Sequence, residues 1–192
     1  MSPATRENRT FDVACKAAEI LEGHGVKCAV IGAIAAAIRG YPRATEDFDL
    51  ATTTDPFRVL TAVESELRAL GYAAELNTPD HDDPLGGVLT ISGDEFNPVQ
   101  IVNFHNPFRP GAGRVGADAI ETAETNVLGP LAVVDLAHLV ALKLYAGGAK
   151  SRLDVVELVE RNPEASLDAI GSVCRAHDLE TEWIDLLRSM GR

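Results

Sequence analysis

Cysteine, aromatic residues and basic residues are all scarce in this chain, and each shortage excludes something. The three cysteines (Cys15, Cys28 and Cys174) are odd in number, widely spaced and set among apolar neighbours. That pattern argues against a disulfide framework or a Cys-rich metal site, and predicts buried free thiols in a reducing cytoplasm. Aromatics make up 5% of the residues and aliphatics dominate, as is ordinary for α/β and α+β proteins. No apolar run is long enough for a bilayer, since the longest, Cys28 to Ile38, is cut by Gly32. The opening MSPATRENRT lacks the apolar core of a signal peptide, so a cytoplasmic protein with no membrane partner is expected.

Seventeen Lys and Arg against 29 Asp and Glu leave a formal net charge of -12. A general nucleic-acid binder needs a broad basic face, which this balance opposes. A local basic site is still open to it. Arg39, Arg43, Arg109, Arg114, Lys143, Lys150 and Arg152 fall in segments expected near the acidic pair described next. An acidic shell with a basic pocket suits a small polyanion such as a nucleoside triphosphate; the same residues are equally compatible with scattered solvated charges.

The densest chemical signal is Val30-Ile31-Gly32-Ala33, followed after thirteen residues by Asp47-Phe48-Asp49-Leu50. A strand runs into a glycine turn and a small-residue helix, and the next strand carries two carboxylates. Alternate side chains of a strand share a face, so Asp47 and Asp49 point one way and Phe48 and Leu50 the other. Like charges this close are costly unless a cation lies between them. Hard oxygen ligands of this kind suit Mg²⁺, which completes its octahedron with water and substrate phosphates. Gly32 permits the sharp turn and exposes helix-start amides, Ala33 included, that can bind phosphate oxygens.

The remaining chain reads as one domain with a helical end. Helical spacing covers Phe11 to Leu21, closed by His24-Gly25, and a buried strand spans Lys27 to Ile31. Gly32 to Ile38 is helical, Asp47 to Thr52 a strand, and Asp55-Pro56 caps a helix with a stripe of Val59, Leu60, Val63, Leu67 and Leu70. Three short strands follow at Tyr72 to Leu76, Val88 to Ile91 and Val99 to Phe104, with loops at Asn77 to Gly87 and His105 to Gly116. The rest is mainly helical: Asp135 to Tyr145, Lys150 to Glu160, Leu167 to Ala176 and Thr181 to Ser189. The fold class is α+β, a mixed sheet flanked by helices, with a core over 1–134 and a helical section over 135–192 packed on it.

The glycine turn and Asp-x-Asp strand resemble the signature of the nucleotidyltransferase superfamily, the DNA polymerase beta-like fold. Ala33 stands where Gly or Ser is usual, so it can supply no hydroxyl to phosphate. The segment Val30 to Leu50, with Arg43-Ala44-Thr45 before the first aspartate, is similar to the AbiEii-type nucleotidyltransferases, which include toxins of toxin–antitoxin systems. Two later segments match as well: Lys143-Leu144-Tyr145-Ala146, and Lys150 followed by Asp154. The resemblance implies Mg²⁺-dependent transfer of a nucleoside monophosphate from a triphosphate to an acceptor hydroxyl. It implies metal ligation by Asp47 and Asp49, and phosphate contacts from Gly32, Ala33, Arg43, Lys143 and Lys150. The acceptor is a transfer RNA, a protein or a small molecule, and an antitoxin is a further implied partner.

Lys143 also stands out by its position, between Leu136, Leu139 and Val140 in an apolar stripe. A lysine there either snorkels or meets an anion at a buried site, and Asp154 is either its orienting partner or a surface charge. The resemblance breaks at the third carboxylate, expected on the strand Val99 to Val102, where Gln100 stands instead. Glutamine can accept a hydrogen bond or ligate weakly but is no general base. Asp82, Asp83, Asp94 and Glu95 are the nearby carboxylates that could replace it, or plain solvated charges. The alternative class is a degenerate member that binds nucleotide or a partner without turnover. Trp183, between Leu179 and Leu187, is expected in helix-packing core.

Overall fold

Alternating burial along its middle strands builds the central sheet. A computed structural model describes residues 3–192. Its strands are β1 (Cys28–Val30), β2 (Phe48–Thr52), β3 (Ala73–Asn77), β4 (Val88–Ser92), β5 (Val99–Asn103), β6 (Glu124–Leu128) and β7 (Leu131–Val133). They form one mixed sheet in the order β3-β4-β5-β2-β1-β7-β6. β2 runs parallel to β5 and antiparallel to β1, and β7 runs parallel to β1. On one face Phe48, Leu50, Leu89, Ile91, Val99 and Ile101 are all buried. Each such side chain contributes about 1.5–3 kcal/mol by leaving water. On the other face Asp49, Thr90 and Gln100 are only half-buried.

The helices are α1 (Pro3–Gly23), α2 (Gly32–Ile38), α3 (Thr61–Ala69), α4 (Arg114–Glu121), α5 (Leu136–Ala146), α6 (Gly148–Arg161), α7 (Leu167–Ala176) and α8 (Glu180–Ser189). α1 buries Val13, Ala14, Ala17, Ile20 and Leu21, one helical stripe, and packs against β2, β5 and α3. Asp55 accepts the amides of Phe57 and Arg58, with Pro56 following, and a single wide turn, Pro56–Leu60, leads into α3. α5 is buried on several sides through Leu139, Val140, Ala141, Leu142 and Leu144, and touches α2, α4, α6 and α7. Trp183 is buried against Gly171 of α7. Among the described residues no helix is long and apolar enough to cross a membrane. The three cysteines are free, Cys174 buried and Cys15 and Cys28 half-buried.

Two elements depart from expectation. The loop expected over His105 to Gly116 ends early, because α4 begins at Arg114. Its glycines look like turn signals, yet Gly116 is a packing glycine inside the helix: a β-carbon there would lie 2.1 Å from the Phe104 ring. The hairpin β6–β7 fills a stretch of the core, before the helical section, for which the sequence predicts no element. β6 is an edge strand with Glu124, Thr125, Asn126 and Val127 all exposed, so it carries no alternation, and β7 has three residues.

Asn103 locks the loops beyond β5. It is fully buried; its amide donates to the Thr54 and Gly86 carbonyls, and its oxygen accepts the Thr54 and His105 amides. Asn103→Ala strands those groups without partners and is expected to cost about 2–4 kcal/mol in urea unfolding.

Candidate active site

The acidic pair is positioned by the β1–β2 pairing. Val30 lies opposite Leu50, and the Ile31 amide donates to the Asp49 carbonyl at 3.0 Å. The chain then turns through Gly32 with φ of +66°, and a β-carbon at that position would fall 1.9 Å from Asp49 Oδ2. Glycine is therefore required twice, by the left-handed backbone and by the carboxylate. α2 starts immediately, with Ile31 offering no side-chain cap. The first-turn amides, Ala33 among them, have no acceptor within the helix.

Asp47 precedes β2 and is half-buried. Thr45 Oγ1 donates to Asp47 Oδ1 at 2.7 Å, fixing its orientation. Thr45 has a role that the sequence reading did not assign; its position two residues before an aspartate, typical of local Thr hydroxyl bonding, was the signal. Asp49 is the electrostatically costly member. Burial and the neighbouring Asp47 carboxylate push its carboxyl up to about 6, against the pull of Lys143, Arg43 and Lys150.

Opposing this pair is a buried cationic clasp. Asp154 on α6 is 2% exposed and receives both Lys143, at 2.6 Å, and Arg43, whose Nη2 is 3.2 Å away. Arg43 Nε also lies 3.2 Å from Asp154 Oδ1 but is misaligned, and it is left without a hydrogen bond. One carboxylate thus joins the α2–β2 loop, α5 and α6 and leaves one net positive charge. Lys143 is paired with an anion inside the protein rather than snorkelling, and Asp154 is no surface charge. Lys150 is exposed at the start of α6.

Gln100 lies on β5 directly opposite Asp49, so an amide occupies the place beside the pair. The other carboxylates considered for that place lie elsewhere. Glu95 pairs with Arg9 of α1, and Asp94 lines the same hollow over α1 as Glu95. Asp83 accepts its own loop's Leu85 amide, and that loop is tied down by Asn106 and by Arg109 on the Asp82 carbonyl. Arg39, expected near the pair, instead binds the Val134 carbonyl and Glu124. Among the described residues, no three His, Cys, Asp or Glu side chains gather as a metal cluster.

The chain matches no protein-family description and no curated protein sequence. Solved structures do match. The antibiotic-resistance factor ANT(2'')-Ia superposes in its solution structure with a TM-score of 0.55 at 13% identity, over 96% of this chain and 98% of that one. Its complex with adenylyl-2''-tobramycin superposes with a TM-score of 0.53 over 89% and 97% of the two chains, again at 13% identity. An antigenic nucleotidyltransferase-like protein from Paracoccidioides brasiliensis gives 0.50 at 16% identity, over 97% and 94%. The chain has the nucleotidyltransferase fold. Within that fold, Asp47 just before β2, Asp49 on β2, the Gly32 turn and Gln100 come together on one side of the sheet.

The raised Asp49 carboxyl has a thermodynamic consequence. The unfolded chain releases this proton near 3.8 and the folded chain near 6. The stability the group confers is complete below the lower value and lost as pH rises through the upper one. In chelator, Asp49→Asn is therefore expected to gain on the order of 2–3 kcal/mol relative to wild type between pH 4 and pH 7, read by urea unfolding at each pH.

Proposed function

We propose that the chain is a Mg²⁺-dependent nucleotidyltransferase that moves a nucleoside monophosphate from a triphosphate to an acceptor hydroxyl. The carrying observation is the close pair of Asp47 and Asp49, with Asp49 packed against Gly32 and its carboxyl driven up to about 6 by burial and by Asp47. Two hard carboxylates fit Mg²⁺, which takes one or two from protein and the rest from water and phosphate. When bound, the ion would neutralise phosphate charge.

The chain's own residues do the positioning. The amides of Gly32 and Ala33 cradle a phosphate, as the uncapped α2 start supports. Lys143, Arg43 and Lys150 neutralise the triphosphate, and Asp154 holds the first two ready. The acceptor oxygen bonds to the α-phosphorus, the bond to the bridging oxygen breaks, and pyrophosphate leaves. Gln100 cannot take the hydroxyl proton, which passes to solvent; lack of a base costs about 10²–10⁴-fold in rate.

Among possible acceptors, the acidity of the chain favours a small molecule or protein over a transfer RNA. The small-molecule reading gains support from ANT(2'')-Ia, which spans nearly the same length and was seen with adenylyl-2''-tobramycin. The motif residues around Lys143 and Asp154 support an AbiEii-type affiliation, and with it a toxin held in check by an antitoxin. A second reading, binding without turnover, is favoured by Gln100 and Ala33.

The test is titration with each of the four ribonucleoside triphosphates, with and without Mg²⁺, while following pyrophosphate release in the presence of cell extract. Metal-dependent release that Asp47→Asn/Asp49→Asn abolishes is the expected result. Binding without release would establish the second reading, and absence of both would make the Asp pair structural.

A further inference from the structure

The sheet extends the candidate site in a direction that the phosphate contacts do not use. Glu75 on β3 is opposite Thr90 on β4, Thr90 opposite Gln100 on β5, and Gln100 opposite Asp49 on β2. Directly paired residues point to the same side, so these four form one straight row across three strand spacings, roughly 14 Å. The reverse side of the same strands is the core beneath α1 and α3. The row side is open: Glu75 is exposed and Thr90 and Gln100 half-buried, beside half-buried Val88 and Val102.

Charge along this row is polarised. Lys143, Arg43 and Lys150 come from the α2–β2 loop, α5 and α6, which follow β1 and β7 on one side of Asp49. Towards β3 there is no cation to match Glu75, whose carboxylate forms no ion pair or hydrogen bond among the described residues. A ligand laid along the row meets a polar, uncharged centre and then an unpaired negative charge. A nucleic acid placed there would set its phosphates against that charge.

We propose that the open face of β3, β4 and β5 seats the acceptor, and that Glu75 selects a small polyhydroxylated amine by binding its ammonium group. A hydroxyl of that molecule then reaches the Asp49 end, and Thr90 and Gln100 hydrogen-bond between the two ends. Val88 and Val102 offer an apolar floor for a ring face. Glu75 is a specificity residue, remote from the reacting atoms. The inference rests on the nucleotidyl-transfer reading above.

The experiment is calorimetric titration of the full chain with tobramycin as the polycationic probe, trehalose as a neutral polyol and unmodified transfer RNA as the anionic competitor. Mg²⁺-dependent nucleoside triphosphate binding is measured separately on the same samples. Tobramycin is expected to bind wild type, with Glu75→Gln weakening it about threefold to tenfold and leaving triphosphate affinity unchanged. Glu22→Gln removes the same charge from an exposed site at the end of α1 and is expected to change nothing, which separates Glu75 from the diffuse attraction of an acidic protein. No tobramycin binding, equal loss in the two variants, equal binding of trehalose, or preferential binding of transfer RNA would each overturn the inference. Failure of triphosphate binding in wild type would instead reject the nucleotidyl-transfer reading.

Discussion

Residue 32 has no room for a β-carbon, because the Asp49 carboxylate occupies that space. This single approach ties together the turn after β1, the start of α2 and the charge of β2. It desolvates Asp49, and with Asp47 two residues away it produces a local excess of negative charge that the folded chain answers only in part. A protein keeps such a conflict where something outside the chain resolves it. A divalent ion and the phosphates it brings are the chemistry best matched to two hard carboxylates beside uncapped helix amides.

The positive side of the site is built with equal care. Lys143 and Arg43 are mostly buried, with side chains 12% and 20% exposed. They would be hard to hold there without Asp154, since an unpaired buried cation is strongly destabilising. Sharing one carboxylate between two cations keeps both in place and leaves one positive charge in excess. The clasp also spans the α2–β2 loop, α5 and α6, so the geometry of the cationic side depends on how the C-terminal helices pack. α5 carries this function as one of the most buried helices, its other faces covered by apolar side chains.

Much of this was legible in the chain itself. Gly32 to Ile38 as a helix, Asp55 as a cap and the alternating strands of β2, β4 and β5 follow local rules that tertiary packing did not override. The β6–β7 hairpin was not legible, because an exposed edge strand need not alternate and a three-residue strand is too short to show a period. α4 was hidden by Gly113 and Gly116, of which the second serves the Phe104 ring rather than a turn. In the site, the Asp pair followed from a period of two. The Arg43–Asp154 contact joins residues 111 apart, and no local pattern reports it. Thr45 could have been found from its spacing to Asp47 alone.

The central claim is that the Asp pair is a cation site whose charge conflict is relieved by Mg²⁺. The most direct measurement is carboxyl-carbon NMR of Asp49, titrated from pH 3 to 8 with and without saturating Mg²⁺. The account predicts a midpoint near 6 in the metal-free protein and a large downward displacement when the ion is present. A midpoint that Mg²⁺ leaves in place would contradict it, because the two aspartates would then be buried for the sake of the fold.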